Sequence, residues 1–585
     1  MRSFLAVSVG PTAADRLRRP IQEALTCLND DDTDIERVDT SEDGWVAFGG
    51  GDKQDLIGPL ASAFTVSLGL LLRTRERDLS AGDVVAMMAN RTELATLLPP
   101  FAIGHRAGAG SPVILVNDWL GFRQLYWWRG NGAAAVSTSA RALSNLASRK
   151  FDPVGLGAQA MIGWQVGNRT LFEDVRAFPP ATIARLEKGN LDLYQYAPTL
   201  AQDGPAPALG DAVEEMAAIL VGWQSKYLQA HPDTILQLTG GHDSRILLGA
   251  IPKTQRHGLR TLTLGEKTHP DVVIAAKLSR RYGLKHETHR LDEFVPTPAE
   301  THAIALAAAR ALEYQASPMA LAPLLLVEAH LDQGHRLSGL GGEVARGFYY
   351  AGQPAGAQTS RRLIERLADW RIFANEAVEP AALDTTFAAE AREHTLFALA
   401  NHFERGDWLR ATDAFYLYHR MHRWSAAHGT VAAVRRRSVN PMFDRRFIEL
   451  ALAVTPADKK DSRLLGRLMT RLDPELANIP IDSGLIPARL GTPGMSTRIA
   501  VATVTARRAI RKVGQKLSHG RRPQLGAAEA AELVVTHWRA TPSSCQALNG
   551  LPMLNQQWLR GLVKGEHDAA PTTIAFLVNL LAAVS

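Results

Sequence analysis

A short glycine turn between two apolar runs is the feature that most restricts the fold of this chain. Residues 238–244 read LTGGHDS, with the apolar run 234–238 before them and the apolar run 246–251 after them. The first run is typical of a buried strand and the second of a helix. We expect the backbone N–H groups of Gly240 and Gly241 to face outward with the helix's positive end behind them, which suits a pyrophosphate. Asp243 would then hold the accompanying magnesium.

Glycine turns also occur in βα units that bind nothing, so the turn alone does not establish a site. It is not a Walker loop, because the Gly-Lys-Ser/Thr ending is missing. It does resemble the Ser-Gly-Gly-x-Asp-Ser loop of the ATP pyrophosphatases, which cleave ATP between its α and β phosphates. Thr239 stands in place of the leading serine and keeps its hydroxyl.

Length and composition indicate a multidomain globular protein. The 585 residues suffice for two or more cores, and a net charge of +6 is small for that length, so nucleic acid is not a predicted partner. Cys27 and Cys545 show no metal-ligand spacing, which favours a reducing compartment. No signal peptide or membrane-length apolar run is recognisable, so we expect a cytoplasmic protein without membrane insertion.

The pattern of the chain changes after a linker. Strand-like runs at 113–116, 182–186 and 191–196 predict a β-rich first domain over residues 1–196, and the Pro-, Ala- and Gly-rich stretch 197–210 reads as a linker. An amphipathic helix at 212–227 is followed by strands at 234–238, 261–264 and 336–338 that alternate with helices. Such alternation predicts a doubly wound parallel sheet, with ligands at the carboxyl ends of its strands.

The remainder of the chain has helical periodicity. Over residues 363–473 we expect Trp370, Phe373, Phe397 and Trp408 to lie in the core, and residues 527–585 are also predicted helical. The stretch 498–522 is basic and has no acidic residue. It is either a solvated helix face or mobile loop, or a docking surface for an acidic peptide or partner.

Two further segments follow strands of the predicted sheet. After strand 261–264, His269-Pro270-Asp271 opens a helix over 272–282 that ends at Gly283, with Asp271 as the expected N-cap. Residues 337–343, LSGLGGE, form another strand end, small-residue turn and acid. Asp243 and Glu343 would share a magnesium across one nucleotide, unless Glu343 is only a first-turn carboxylate favoured by a helix dipole.

The order of several motifs resembles class B asparagine synthetase. Residues 239–244, 338–343 and 440–444 (NPMFD), followed by Pro456 and Lys459, are similar to its synthetase half, and residues 118–126 (DWLGFRQLY), 168–175 (NRTLFEDV) and 178–180 (FPP) to its first half. The resemblance implies an α+β glutaminase-like domain of Ntn type, a β-rich sandwich, over residues 1–196. It also implies an α/β ATP-pyrophosphatase domain with a parallel sheet over 211–490, and a basic, helical C-terminal extension over 491–585.

The first domain departs from an active glutaminase. Active members of the family carry a catalytic cysteine directly after the initiator methionine, whereas this sequence begins Met1-Arg2-Ser3. Their glutamine-holding motifs are not recognisable either, because residues 47–51 read AFGGG. We therefore expect a degenerate domain without glutamine hydrolysis, and another amine in place of ammonia.

The second domain differs from asparagine synthetase and β-lactam synthetase at the residues that serve as acid or base in those enzymes. Leu340 stands where asparagine synthetase has a glutamate and β-lactam synthetase a tyrosine, and residues 481–484 (IDSG) offer no counterpart to the lysine of those enzymes. An α-amino group needs little activation, since its pKa of roughly 8 leaves about a tenth of it unprotonated at pH 7. Loss of a general base matters less for such an amine held beside its target.

These departures resemble the lasso peptide cyclases. The resemblance implies adenylation of an Asp or Glu side chain of a precursor core peptide with ATP and Mg²⁺, release of pyrophosphate, and closure by the peptide's α-amine to a macrolactam and AMP. It also implies two protein partners, a leader-binding protein and a leader peptidase.

The resemblance assigns roles by position. Thr239, Gly240, Gly241 and Ser244 would bind pyrophosphate, Asp243 and Glu343 magnesium, and Leu238, Leu264, Ser338 and Gly339 would surround the adenosine. Asp243, Glu343 and Ser244 are the catalytic candidates. His242 and Arg346 either contact the substrate or are solvated or ion-paired neighbours, and Arg436 and Arg437 either steer phosphate or belong to a surface ion-pair face.

Three other functions compete with this one. A β-lactam synthetase-like ligase is disfavoured by Leu340. The substrate amine of such a ligase is less reactive and requires the tyrosine that β-lactam synthetase has at this position. A non-catalytic peptide-binding scaffold is disfavoured by the retention of Asp243 and Glu343. An adenylating enzyme that modifies tRNA would use the basic stretch to hold phosphates, but the glutaminase-like domain argues against it.

Overall fold

A computed structural model describes residues 3–11, 13–29, 35–41, 44–49, 56–57, 63–200, 204–265, 268–290, 296–517 and 526–584. The predictions that involve Met1, Arg2, Gly50, Gly51, Glu266, Arg521 and Arg522 lie outside these residues. In the described part of the chain, no helix is both long and apolar enough to cross a membrane.

The N-terminal part is built from two antiparallel six-stranded sheets. The first sheet has the order β10-β8-β9-β1-β3-β2, with β1 Ser3–Val9, β2 Ile35–Ser41, β3 Gly44–Gly49, β8 Tyr126–Gly130, β9 Ala133–Ser137 and β10 Arg176–Ala177. The second has the order β12-β11-β7-β6-β5-β4, with β4 Leu56–Ile57, β5 Phe64–Ser67, β6 Ala102–Arg106, β7 Val113–Asn117, β11 Thr182–Glu187 and β12 Asn190–Gln195.

The two sheets share an apolar core. Phe4 and Phe48 of the first sheet belong to the same buried cluster as Phe64, Leu115 and Ala184 of the second. Strand β11 buries alternate side chains, as a half-buried strand does, whereas every side chain of β1 is buried because helices cover its other face. Those helices are α1 Ala14–Asn29, α4 Ala140–Ser144 and α5 Pro153–Ile162, whereas α2 Ala81–Met87 and α3 Arg91–Leu94 belong to the core on the side of the second sheet. The β-rich sandwich predicted for this part is confirmed.

A parallel five-stranded sheet follows. Its order is β15-β14-β13-β16-β17, and every neighbouring pair is parallel. The strands are β13 Ile235–Gln237, β14 Arg260–Leu264, β15 Lys285–His289, β16 Arg336–Leu337 and β17 Ser438–Val439. Strands β14 and β15 are added on one side of β13, and β16 and β17 on its other side. The direction of winding therefore switches between β13 and β16. The predicted doubly wound sheet is confirmed, and its switch point is where such sheets bind ligands.

Helices surround this sheet. They are α6 Leu209–Ala230, α7 Asp243–Ala250, α8 Lys253–Arg256, α9 Pro270–Tyr282, α10 Pro298–Ala311, α11 Pro318–Glu328, α12 Arg361–Leu367, α13 Phe373–Glu376, α14 Thr385–Ala400, α15 Trp408–Phe415, α16 Ala426–Arg435, α17 Arg445–Ala453, α18 Pro456–Lys459, α19 Arg463–Leu472 and α20 Pro474–Ala477. Helix α6 begins at Leu209, inside the stretch predicted as a linker, and Tyr196, Ala197 and Leu200 are buried. Helix α9 ends as predicted, with Gly283 in the left-handed conformation.

Two of the four aromatic residues predicted for the helical core are misplaced. Phe373 and Trp408 are buried, whereas Trp370 is 40% and Phe397 63% exposed. Trp370 lies in a π-helical segment, Ala368–Ile372, and a second π-helical segment spans Tyr416–Ser425. The π-helical turn departs from the uniform 100° spacing at Trp370, whereas Phe397 lies in a separate helix, α14, on a face that periodicity alone could not show to be uncovered.

The last helices, apart from the largely exposed α22, pack back onto earlier ones. They are α21 Pro487–Gly491, α22 Met495–Leu517, α23 Ala527–Ala540, α24 Gln556–Lys564 and α25 Pro571–Val584. Trp538 of α23 and Phe576 of α25 join Ala305 of α10 and Met319 of α11 in one buried cluster that also includes strand β1. The C-terminal helices therefore pack against both halves of the molecule.

A buried polar network also joins the two halves. Arg423 lies in the second π-helical segment and donates through Nε to Gln315 Oε1 at 3.0 Å, and Gln315 Nε2 donates to Gln124 Oε1 at 2.8 Å. Gln124 Nε2 donates in turn to the carbonyl of His422 at 3.1 Å. Since buried polar groups are costly when unpaired, this closed network fixes the N-terminal sandwich against the parallel sheet's helices.

Candidate active site

Two small-residue turns meet at the carboxyl ends of β13 and β16. The LTGGHDS turn leads from β13 into α7, and the SGLGGE turn leads from β16 into a 3-10 helix, Gly342–Arg346. A Cβ placed on Gly339 would lie 2.9 Å from the Cβ of Asp243, so only glycine permits this approach. The structure thus brings the two predicted turns side by side.

The glycine turn is held by hydrogen bonds within the protein. Thr239 N–H donates to Ser244 Oγ at 3.0 Å, and Gly241 N–H donates to Thr239 Oγ1 at 3.3 Å. Gly240 N–H does not face outward as predicted, because it donates to Asp271 Oδ1 at 2.7 Å. A carboxylate of the protein therefore occupies the donor that the sequence assigns to a phosphate.

The predicted capping role of Asp271 is wrong. The N-cap of α9 is His269, whose Nδ1 accepts from Asp271 N–H at 3.3 Å, and Pro270 occupies the first helical position. This frees the Asp271 side chain to reach back to Gly240, where the positive end of α9 favours its charge. Sequence spacing gave no sign of this contact, because its partners are 31 positions apart.

Asp243 is a half-buried side chain in which one carboxylate oxygen is buried and unpaired. Its Oδ1 has no hydrogen-bond partner, and a Cβ on Gly342 would lie 2.3 Å from that atom. Burial, together with the charge of Glu343 and against the lowering effect of Arg346, raises the pKa of Asp243 to about 7. An unpaired buried carboxylate oxygen is costly to a fold, and such groups mark sites that receive a cation or a donor.

Glu343 and Arg346 complete the charged cluster. One guanidinium nitrogen of Arg346, Nη2, lies 3.5 Å from Asp243 Oδ2 and 3.5 Å from Glu343 Oε1. Glu343 Oε2 accepts from the Gly341 N–H at 3.2 Å, so this carboxylate also satisfies the turn that carries it. Arg346 is ion-paired, and its charge bridges the two carboxylates.

Asp243 and Glu343 suit magnesium. Carboxylate oxygens are its preferred protein ligands, and one or two carboxylates plus substrate phosphates is its usual arrangement with nucleotides. The unpaired Oδ1 of Asp243 provides a free ligand atom, so the residues present fit the ion. Over the described ranges no group of three or more His, Cys, Asp or Glu side chains could hold a metal ion.

His242 is neither solvated nor ion-paired. It is 6% exposed, its Nε2 has no hydrogen-bond partner, and burial followed by the charges of Arg346, Arg245 and Arg508 lowers its pKa to about 3. The imidazole is therefore neutral at physiological pH. It lies at the start of α7 beside Asp243 and has an unused polar atom.

The residues assigned to the adenosine are in different environments. Leu238 is fully buried in the main core, so its side chain has no exposed surface for a ligand. Leu264 and Ser338 are half-buried at the ends of β14 and β16. Leu340 is also half-buried and packs against the main core.

A group of aromatic and arginine side chains beside Glu343 was not predicted. The rings of Phe348 and Tyr416 stack with centroids 4.5 Å apart, and the Arg371 guanidinium lies 6.0 Å and the Arg420 guanidinium 5.6 Å from the Phe348 ring. Burial and then the charge of Glu343 raise the pKa of Tyr416. The residues come from three distant segments, so no sequence spacing joins them.

Lys459, which the motif comparison singled out, is not at the carboxylate pair. It is fully buried and ion-pairs with Asp413, to which the Tyr350 hydroxyl also donates at 2.5 Å. Tyr350 follows the turn that carries Glu343 and Arg346. Lys459 and Asp413 thus anchor the end of that segment.

The phosphate-steering alternative for Arg436 and Arg437 is wrong. Both precede β17, and the Arg437 carbonyl accepts from Arg336 N–H at 2.9 Å, where β16 begins. They therefore lie at the amino ends of the strands, opposite the site. Arg436 ion-pairs there with Glu328.

Comparisons with known proteins give little beyond this geometry. Neither a family model nor a curated protein sequence matches the chain. Two solved structures are similar over 49% of this chain and 80% of their own: an "allosteric regulatory enzyme of purine biosynthesis", 10% identical with a TM-score of 0.23, and the glutamine phosphoribosylpyrophosphate (PRPP) amidotransferase from B. subtilis complexed with ADP and GMP, 9% identical with a TM-score of 0.22. Likeness at this level carries no argument about function.

Proposed function

We propose that this protein is an ATP-dependent, AMP-forming amide ligase that closes a macrolactam ring in a ribosomal peptide, as lasso peptide cyclases do. The main support for the proposal is that the turns after β13 and β16 lie side by side at the switch point of the parallel sheet. They place Asp243 and Glu343 on one guanidinium, with an unpaired carboxylate oxygen left on Asp243. A non-catalytic scaffold would have no use for that costly arrangement.

In the proposed reaction, an Asp or Glu side chain of the peptide attacks the α-phosphate of ATP, and the bond to the β-phosphate breaks. The peptide's α-amine then attacks the acyl carbon, the bond to AMP breaks, and the amine's proton leaves to solvent. Magnesium would be held by Asp243 and Glu343 and would neutralise charge on the departing pyrophosphate.

The chain's own residues have separate parts in this scheme. Thr239, Gly241 and Ser244 form the turn that would receive pyrophosphate, and Gly240 joins them once Asp271 releases its N–H. Arg346 bridges both carboxylates and is placed to attract phosphate oxygens as well. Leu340 offers no proton acceptor, which supports an amine that is already nucleophilic.

The test compares Asp243→Ala with Asp233→Ala, an exposed aspartate in the turn before β13 at the opposite end of the sheet. The substrate is the small precursor peptide that we expect to be encoded beside this gene, with its leader removed. We expect peptide-dependent AMP release by the unmodified protein and by Asp233→Ala, and none by Asp243→Ala. Product formation by Asp243→Ala with normal circular dichroism would refute the assignment.

A further inference from the structure

Two arginines from separate π-helical segments converge on one phenyl ring beside the candidate site. Arg371 lies in the segment Ala368–Ile372 and Arg420 in the segment Tyr416–Ser425. Their guanidinium carbons lie 6.0 Å and 5.6 Å from the centre of the Phe348 ring. π-Helical turns are rare and occur frequently at functional sites. Two such segments that present the same residue type to one ring therefore form a candidate binding feature.

This arginine pair lies close to the charged cluster of the site. Phe348 follows Arg346 by two residues, and its ring stacks on Tyr416 with centroids 4.5 Å apart. Burial raises the pKa of Tyr416, the charge of Glu343 acts in the same direction, and the charges of Arg420 and Arg346 oppose it. Tyr416 is thus within electrostatic reach of both the arginine pair and the charged cluster that is proposed to hold magnesium.

Neither guanidinium of the pair has a carboxylate at ion-pair distance in the described part of the chain. Asp369, two residues before Arg371, ion-pairs instead with Arg392 at 2.8 Å. Glu376 feels the charge of Arg420, but burial raises the pKa of its carboxyl and weakens it as a counter-ion. Partly buried cations without a partner are unfavourable, so an anionic group of a ligand would be stabilised here.

The two guanidinium groups are oriented and accessible. Arg371 Nη2 donates to the Phe348 carbonyl at 3.2 Å, and the Arg420 guanidinium lies 4.5 Å from the centre of the Trp424 ring. The side chains of both arginines are half-buried, so solvent reaches them. Arginines held on aromatic rings in this way lose less freedom when they bind a planar anion.

One anion of the proposed reaction has no cation assigned to it. The phosphates of ATP have the glycine turn, magnesium and Arg346, whereas the peptide carboxylate that attacks the α-phosphate has none. Attack requires this carboxylate to approach a second anion, so a cation that pairs with it reduces their repulsion and holds it near its target. A guanidinium group matches the geometry of a carboxylate, which can accept two parallel hydrogen bonds from it.

We propose that Arg371 and Arg420 bind the acceptor side-chain carboxylate of the peptide before it attacks ATP. This deepens the proposed function and rests on it. The arginine pair then selects which side chain of the peptide is activated, because a neutral side chain gains nothing from the two charges. A phosphate of ATP is the competing occupant, and the experiment separates the two.

The experiment measures binding without turnover, in the presence of α,β-methylene-ATP, whose bridging carbon prevents release of pyrophosphate. The probe is the leader-free peptide of the ligase test, made with fluorescein at its carboxyl end, and its counterpart has Asn or Gln in place of the acceptor Asp or Glu. The full-length variants are R371Q and R420Q, with folding checked by circular dichroism. The matched control, R16Q/R18Q, removes two exposed arginines from α1.

We expect the unmodified protein and the α1 control to bind the acidic peptide about tenfold more tightly than its amide counterpart. Each arginine variant should bind the acidic peptide about tenfold more weakly and the amide counterpart unchanged, since removal of either partner eliminates the same interaction. The affinity of both variants for α,β-methylene-ATP should equal that of the unmodified protein.

Normal binding of the acidic peptide by both variants would overturn the proposal, and so would an equal loss of affinity for the two peptides. Weaker binding of α,β-methylene-ATP with normal binding of the peptides would assign the arginines to phosphate instead. Absence of AMP release by the unmodified protein with this peptide would count against the ligase itself.

Discussion

The Asp271 carboxylate accepts a hydrogen bond from the Gly240 N–H at 2.7 Å. The same N–H belongs to the turn that is proposed to receive pyrophosphate, so the carboxylate and the phosphate compete for one donor. Asp271 therefore holds the turn in shape while the site is empty and opposes the phosphate through like charge.

Replacing Asp271 separates these two effects. Asp271→Asn keeps an oxygen acceptor for Gly240 but removes the charge, so we expect pyrophosphate to inhibit the variant at about tenfold lower concentration. Asp271→Ala loses the hydrogen bond and should lower the free energy of unfolding by about 1–3 kcal/mol. Inhibition and denaturant titrations measure the two quantities. Weaker pyrophosphate inhibition of Asp271→Asn would show that the carboxylate does not compete with phosphate.

Gly342 is required by the position of Asp243. An alanine methyl at 342 would meet Asp243 Oδ1 at 2.3 Å, so Gly342→Ala must move the carboxylate that is proposed to hold magnesium. We expect a loss of AMP release of about a hundredfold or more, since small displacements of positioned groups are that costly. Gly210→Ala is the matched control, because nothing lies within 4 Å of its added methyl. Normal activity of Gly342→Ala would contradict this arrangement of the turn.

The ionised carboxylate of Asp243 should lower the stability of the folded protein, although we propose that the reaction requires it. Its pKa is raised from 3.8 to about 7, so its charged form is disfavoured in the folded state, and the penalty grows as pH rises between those values. We therefore expect Asp243→Asn to abolish AMP release and to raise the melting temperature without magnesium, more at pH 8 than at pH 5. Thermal scans of both proteins at the two pH values test this. A lower melting temperature of the variant at pH 8 would exclude an unfavourable buried charge.

His335 should make the fold sensitive to acid. Its ring stacks on His231 with centroids 3.7 Å apart, its Nδ1 lies 2.7 Å from the Tyr227 hydroxyl, and burial followed by the His231 charge lowers its pKa from 6.5 to about 4. A histidine with a lowered folded pKa costs nothing above pH 6.5 and costs increasingly more as pH falls toward 4.

We accordingly expect the unfolding free energy to fall between pH 6.5 and 4, and His335→Gln to reduce that slope without changing AMP release at pH 8. Urea titrations across this range provide the measurement. An identical slope in the variant would assign the acid sensitivity to other groups. Retained activity is expected because His335 precedes β16, at the end of the sheet opposite Asp243.

The sequence predicted those parts of the fold whose signals are local. The turn after β13, the turn after β16 and the glycine that ends α9 each follow from a few adjacent residues. Strand β1 escaped prediction because all its side chains are buried, and a continuous apolar run lacks the alternation that identifies a half-buried strand.

The parts of the site that were not predicted depend on long-range contacts. Asp271 looked like a helix cap, and only the folded structure shows its carboxylate on Gly240. Tyr416 interacts with Glu343, and Arg371 and Arg420 lie against the neighbouring Phe348 ring. All three come from two π-helical segments far from Glu343 in sequence, which spacing along the chain does not reveal. Trp370 and Phe397 were misplaced for the same reason, since periodicity predicts a helix but not which face is covered.

We propose that the site of Asp243 and Glu343 joins a peptide carboxyl to AMP. This step can be followed by labelling the acceptor side-chain carboxyl of the precursor peptide with heavy oxygen and analysing the nucleotide products by mass spectrometry. Attack on the α-phosphate predicts AMP that carries one labelled oxygen, together with unlabelled pyrophosphate and a cyclic peptide. Formation of ADP with labelled inorganic phosphate, or of unlabelled AMP together with cyclic peptide, would contradict adenylation of the peptide carboxyl.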